Sequence, residues 1–261
     1  MSLLTWILLF SLVGGALSVI GAAVFLLLPE GLRTRLLPHA VSFAIGALLG
    51  AALLGLLPHA LEGAGGGDPH LITGALLLGL LGFFLLEKLV LWRHCHSTEC
   101  EVHTPEDSGH RHSAAGTLIL IGDGLHNFID GVLIGAAFLT DIHLGIVTSL
   151  AVAAHEIPQE VGDFAVLLHS GFSTAKAFFY NLLSSLATMV GGLLAYYGFR
   201  DFAPALPYVL AVAASSFIYV AVADLIPGLH QRVEFSATLK QVVLIGAGVG
   251  LIYVAHSTLH T

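Results

Sequence analysis

Charge is scarce in this chain. Asp, Glu, Lys and Arg make up 10% of its 261 residues, and Lys and Arg number only nine. Those nine fall singly, which excludes a nucleic-acid surface. Cysteine is nearly absent: Cys95 and Cys100 share one segment and cannot build a disulfide framework. No glycine-rich phosphate loop occurs, which argues against ATP-driven pumping. Long polar stretches are also missing. With 56% hydrophobic residues and a mean hydropathy of +0.91, the composition lies outside the range of soluble domains. The net charge of −8 says little about partners, because several of the negative groups sit inside apolar segments.

What is present is a succession of apolar runs, each about 20 residues or more and so long enough to cross a bilayer as a helix. Eight spans are predicted, at 3–28, 39–62, 71–93, 115–139, 144–169, 173–199, 206–229 and 238–259. The first has no basic leader and no evident small-residue cleavage site, so it is expected to be a retained helix. The class is therefore an all-α integral membrane protein, an eight-helix bundle forming one transmembrane domain over 1–261. Glycine-rich positions such as Gly14-Gly15, Gly46, Gly191-Gly192 and Gly248 fit close helix packing in lipid.

Basic residues set the expected orientation. Arg33, Arg35, Lys88, Arg93, Arg111, Lys176, Arg232 and Lys240 flank connections on one side, and Arg200 alone marks the other. The first side should be cytoplasmic, with both termini outside and the chain in a cell (inner) membrane.

Against this apolar background stand two polar clusters. Asp123, His126, Asn127 and Asp130 occupy i, i+3, i+4 and i+7, one face of span four. His155, Glu156, Gln159, Glu160 and Asp163 lie in span five. Ionisable groups at the bilayer centre cost roughly 2.5–3.5 kcal/mol each on insertion scales, so they mark function before packing. Individual Asn, Gln and His residues do serve as helix glue, which is the bland alternative for any single member. Only a few residues around Asp141 separate the spans; His126 and Asp130 lie 10 to 14 residues before Thr140, and His155 and Gln159 lie 11 to 15 residues after Leu144. At about 1.5 Å per residue they meet roughly 15–22 Å from one membrane face, near mid-bilayer. Pro158 lies inside the second cluster, where it frees the Ala154 carbonyl and bends the helix. Histidine and carboxylate without thiolate suit Zn(II), and also Fe(II) or Mn(II). Metal binding at such groups should displace protons.

The stretch Gly122-Asp-Gly-Leu-His-Asn-Phe-Ile-Asp-Gly131, followed by His155-Glu-Ile-Pro-Gln-Glu-Val-Gly-Asp163, resembles the paired signatures of the ZIP family of divalent-metal transporters. The second signature is similar to the form found in the family's His-rich animal branch. The resemblance extends over most of the chain, through the eight spans, the outside termini and a proline near the end of span seven. It implies a secondary transporter carrying zinc, or iron, manganese or cadmium, into the cytoplasm through a two-metal centre. By that resemblance His126, Asp130, His155 and Gln159 would line one position, and Asn127, Asp130 and Glu156 would border a second, with Asp130 between them. Two positions depart from the pattern. Gln159 stands where that branch usually has His and other relatives an acid, with Glu160 one step later. Thr188 stands where some members carry Glu. A single occupied position is therefore an alternative. Asn181 in span six is a further candidate oxygen ligand, and Asp123 and Asp163 are candidate path-lining groups.

The tract 94–113 holds His94, Cys95, His96, Cys100, His103, His110 and His112. It is expected to be a cytoplasmic loop that collects or senses metal. A faint repeat, Leu56-Leu-Pro-His against Leu225-Ile-Pro-Gly, fits an inverted 3+2+3 arrangement, with His59 and Asp224 as vestibule candidates. Partners are then the metal ions and the lipid bilayer, with a homodimer left open and no nucleic acid. Two rivals remain. His155-Glu-x-x-Gln159 is one residue from the His-Glu-x-x-His of an intramembrane metalloprotease, and a metal receptor without flux would carry the same residues.

Overall fold

The computed structural model describes residues 1–65, 68–94, 108–230 and 234–259, with backbone alone for 90–94, 108–118 and 259. Among them there is no strand. Eight long helical elements follow one another: α1 (Leu3–Leu26), α2 (Glu30–Gly63), α3 (Pro69–His94), α4 (Ser108–Thr140), α5 (Ile142–His169), α6 (Thr174–Phe199), α7 (Ala203–Leu229) and α8 (Phe235–Leu259). All but α5 contain a stretch long and apolar enough to cross a membrane, which makes seven. α5 is the helix that carries the second polar cluster, and its His, Glu, Gln and Asp residues lower its apolarity.

Two helices are longer than their apolar spans. α2 starts at Glu30, nine residues before the predicted span, and runs through Pro38. α4 starts at Ser108, so the end of the tract expected as loop is helical backbone. The added residues include Glu30, Arg33 and Arg35 in α2 and His110, Arg111 and His112 in α4, and hydropathy reads the bilayer-length portion but not a helix that continues past it. The remainder of the tract, including Cys95, His96, Cys100 and His103, lies outside the described residues, as do the side chains of His94, His110 and His112.

The helices sort into two groups. α1, α4, α5 and α6 pack on one another, while α2 packs along α8 and α3 along α7; α2 and α8 meet α5, and α7 meets α4. Glycines permit the closest approach, between α4 and α6. A Cβ on Gly131 would lie 1.9 Å from the Thr188 carbonyl oxygen, and one on Gly191 would lie 2.1 Å from that of Phe128. Two helices are interrupted, α1 at Gly15 and α6 at Leu186.

α2 and α7 share an irregularity. Each widens into one π-helical segment, Ala51–Leu56 and Val220–Leu225, directly before a Leu-Pro or Ile-Pro pair. Leu57 N–H bonds to the Ala52 carbonyl and Ile226 N–H to that of Ala221, five residues back in both. Proline supplies no N–H and crowds the carbonyl four residues earlier, so the preceding turn relaxes to the wider register. α5, by contrast, continues unbroken through Pro158.

Candidate metal centre

α4 and α5 form an antiparallel hairpin whose turn is fixed by Asp141. Its carboxylate accepts from the His143 and Leu144 amides at 2.8 and 2.9 Å, capping α5. From that turn the two helices run back side by side, and residues 11 to 15 positions away on each strand of the hairpin come level. His126, Asp130, His155 and Glu156 meet there, with one ligand atom of each within 4.8 Å of the others.

The separations have a definite meaning. His126 Nε2 lies 3.3 Å from His155 Nε2 and 3.3 Å from Glu156 Oε1. Asp130 Oδ2 lies 3.2 Å from His155 Nε2 and 3.8 Å from His126 Nε2, and the His155 Nε2–Glu156 Oε1 distance is 3.6 Å. A tetrahedral zinc with bonds of about 2.0–2.1 Å requires ligand atoms about 3.3–3.4 Å apart. Five edges of the four-atom figure thus scatter around the value for a closed N2O2 cage. His155 is oriented for this role. Its Nδ1 is 3.0 Å from the Ala151 carbonyl, which can only accept, so Nδ1 holds the proton and the Nε2 lone pair faces the other three ligands.

Burial makes the cluster costly without a cation. The side chains of Asp130, His155 and Glu156 are at most 1% exposed, and no oxygen of either carboxylate receives a hydrogen bond. A buried carboxylate costs several kcal/mol without a positive charge beside it, which a cation in the cage or a protonated His126 or His155 supplies. His126 is 23% exposed and is the member on the solvent side.

A cavity of about 440 Å³ leads to it, lined by Asp123, His126, Gln159, Asp163 and Asp224 among apolar neighbours such as Val41 and Pro158. These residues come from the first parts of α2 and α4 and the last parts of α5 and α7. They therefore gather toward the ends joined by the 95–107, 170–173 and 230–234 connections. On the other side of the cage Leu48, Leu133, Ile134, Phe138 and Leu144 are buried, and the Phe217 ring stands 6.1 Å from that of His155. The centre is open toward one face and closed by apolar packing toward the other.

The remaining sequence candidates fall into place around it. Asn127 is buried and engaged twice: its Nδ2 donates to Asp123 Oδ1 at 2.8 Å, and its Oδ1 accepts from Thr188 at 2.9 Å. Ser184 donates to the other Asp123 oxygen. Glu160 is buried, with an oxygen in a second group formed with Asp123 and Glu156. Gln159 and Asp163 line the cavity, as does Asp224. Asn181 is buried with neither amide atom hydrogen-bonded. His59 is elsewhere, its ring against that of His256 near the far end of α2. Ser184 and Phe217 were not among the sequence candidates. Asn181, Ser184, Ser185 and Thr188 form one polar face of α6, a readable signal; Phe217 carries none.

Comparison with known proteins agrees with the motifs. The family model described as ZIP Zinc transporter matches residues 92–256. The chain is 40% identical over 153 residues to "Zinc transporter foi" of Drosophila melanogaster, covering 58% of this chain and 21% of that protein. It is 32% identical over 267 residues to "Zinc transporter zipt-7.2" of Caenorhabditis elegans, covering 84% and 58%. It is 28% identical over 279 residues to "Metal cation symporter ZIP14" of Xenopus tropicalis, covering 82% and 59%. The chain thus spans between about a fifth and three fifths of these relatives' length.

Proposed function

The chain belongs to the ZIP zinc transporter family, and from that premise we propose that it carries divalent metal ions, zinc first, through a membrane by way of the α4–α5 centre. The observation that carries this reading is the N2O2 cage with edges of 3.2–3.8 Å at the inner end of a one-sided cavity. A permeation site must strip water from an ion and still release it. Neutral imidazoles and carboxylates do so more readily than a thiolate cage, and His126, the most exposed of the four ligands at 23%, is the one through which the ion leaves.

The cavity opens at the ends that carry eight of the nine basic residues, so that face is the cytoplasmic one and both termini lie outside. In this state the ion is discharged inward while Phe217, Leu133 and Phe138 seal the outer side. α5 is then an eighth span, tolerated in lipid because its polar face is turned to α4. The inverted 3+2+3 arrangement is supported by contacts that exchange correctly. α2 on α8 is mirrored by α7 on α3, α4 on α6 by α5 on α1, and the π-turn before proline recurs in α2 and α7. One transport body thus occupies 1–261, with the 94–113 tract as a metal-collecting accessory. The protein is integral to the cell (inner) membrane, and a homodimer is compatible with the exposed apolar faces of α3 and α8.

Gln159, a neutral amide beside His126 in the cavity wall, tunes choice among zinc, iron, manganese and cadmium. A metalloprotease is not favoured, because the metal ligands come from both helices in equal number and Glu156 belongs to the cage, where a general base would stand apart. A receptor without flux would carry the same residues and is disfavoured by membership of a transporter family; flux separates the two. Uptake into vesicles containing the purified chain, with the four metals in competition, tests the reading. Absence of any saturable metal flux would sink it.

A further inference from the structure

Glu160 is the most anomalous side chain in the described part of the protein. It is fully buried at membrane depth, and neither of its oxygens accepts a hydrogen bond. It lies one turn from Glu156 toward the open face. An oxygen of Glu160, one of Glu156 and one of Asp123 all fall within 4.8 Å of one another. Three carboxylates brought together out of water repel; His126 lies 3.3 Å from Glu156, but Glu160 has no hydrogen-bond partner. Asp123 is nonetheless held in place, by Asn127 on one oxygen and Ser184 on the other. Each carboxylate oxygen carries a second lone pair, so this bracing orients Asp123 without using it up.

We infer that Asp123, Glu156 and Glu160 form a second, all-oxygen cation position, one step from the histidine-containing cage toward the cytoplasmic cavity. Glu156 belongs to both positions and hands the ion from one to the other. This deepens the transport reading and rests on it. The position is not the one that the family resemblance implies beside Asn127 and Asp130. Asn127, bonded through Nδ2 to Asp123 and through Oδ1 to Thr188, is neutral, and Thr188 brings no charge either. The negative charge is supplied instead by Glu160, on α5.

The chemistry separates the two positions. A cage with two imidazoles favours zinc, whereas three carboxylate oxygens favour harder ions such as manganese. The all-oxygen position is therefore the weaker zinc site and the better manganese site, as suits the last stop before release.

The test is a count of bound ions on the purified full-length chain, by equilibrium dialysis against zinc and, separately, manganese. Wild type is expected to hold two zinc ions at saturation. Glu160→Gln, nearly isosteric, should hold one, with the tighter zinc affinity changed less than about threefold and manganese binding weakened more than about tenfold. His155→Ala should do the reverse, losing the tighter zinc ion and keeping manganese. Asp123→Asn should repeat the loss of the weaker ion, and it decides the matter if Glu160→Gln is not obtained folded. Two ions retained in both carboxylate variants would overturn the inference. So would a single zinc in wild type; with uptake intact, that result removes the second position alone, whereas no zinc and no uptake removes the transport reading too.

Discussion

Replacing His155 by alanine deletes one corner of the N2O2 cage and leaves the other three in place. His155 Nε2 makes three of the measured edges, 3.3 Å to His126, 3.2 Å to Asp130 and 3.6 Å to Glu156. Its ring is buried and stands 6.1 Å from that of Phe217. Changes to groups that merely orient a ligand cost about 10–100-fold in metal affinity. Loss of a ligand atom should reach the top of that range or pass it, at least about 100-fold or about 2.8 kcal/mol. Zinc titration of the purified protein against a competing chelator measures this. His126→Ala should cost less, because that corner is 23% exposed and water can take it. Affinity within tenfold of wild type for well-folded His155→Ala would refute the tetrahedral reading.

Other outcomes follow from the same geometry. Gln159→Glu should shift preference toward manganese or iron over zinc and Gln159→His toward zinc, read by competition uptake; unchanged preference in both would remove Gln159 from the ion's path. Gly131→Ala places a Cβ 1.9 Å from the Thr188 carbonyl oxygen, forcing α4 and α6 apart. It should cost about 1–3 kcal/mol in unfolding assays and weaken zinc binding, because Thr188, Asn127 and Asp123 are linked across that contact. Replacing the His and Cys residues of 94–113 should leave uptake running with a modest change in apparent affinity; total loss would make the tract part of the route.

Much of this centre was legible because helical spacing survives any error in helix ends. Positions 123, 126, 127 and 130 had to share a face, and the short turn at Asp141 had to bring them level with 155–160. Absolute rotation was not legible. Gln159 and Glu160 are adjacent, either could face α4, and the resemblance favoured Gln159. In the folded chain Glu156 joins the cage, Glu160 is buried one turn away and Gln159 lines the cavity. Which residue of α5 turns toward α4 depends on the rotation of the packed helices, a three-dimensional fact with no local signature. Pro58 and Pro227 were read as part of a faint repeat, and the π-helical register before them has no signal in the residues alone. The polar extensions of α2 and α4 were missed because hydropathy responds to lipid thickness, whereas a helix ends where its backbone bonding ends.

The most direct measurement of the central claim is zinc uptake into proteoliposomes by wild type and Asp130→Ala, each verified as folded and inserted. Asp130 is 1% exposed, sits 3.2 Å from His155 Nε2 and is one of the four groups that meet within 4.8 Å, so the proposed path depends on its carboxylate. Saturable zinc flux in wild type and its near-complete loss in Asp130→Ala is the expected result. Equal flux in the two would contradict it and move the path away from the α4–α5 centre.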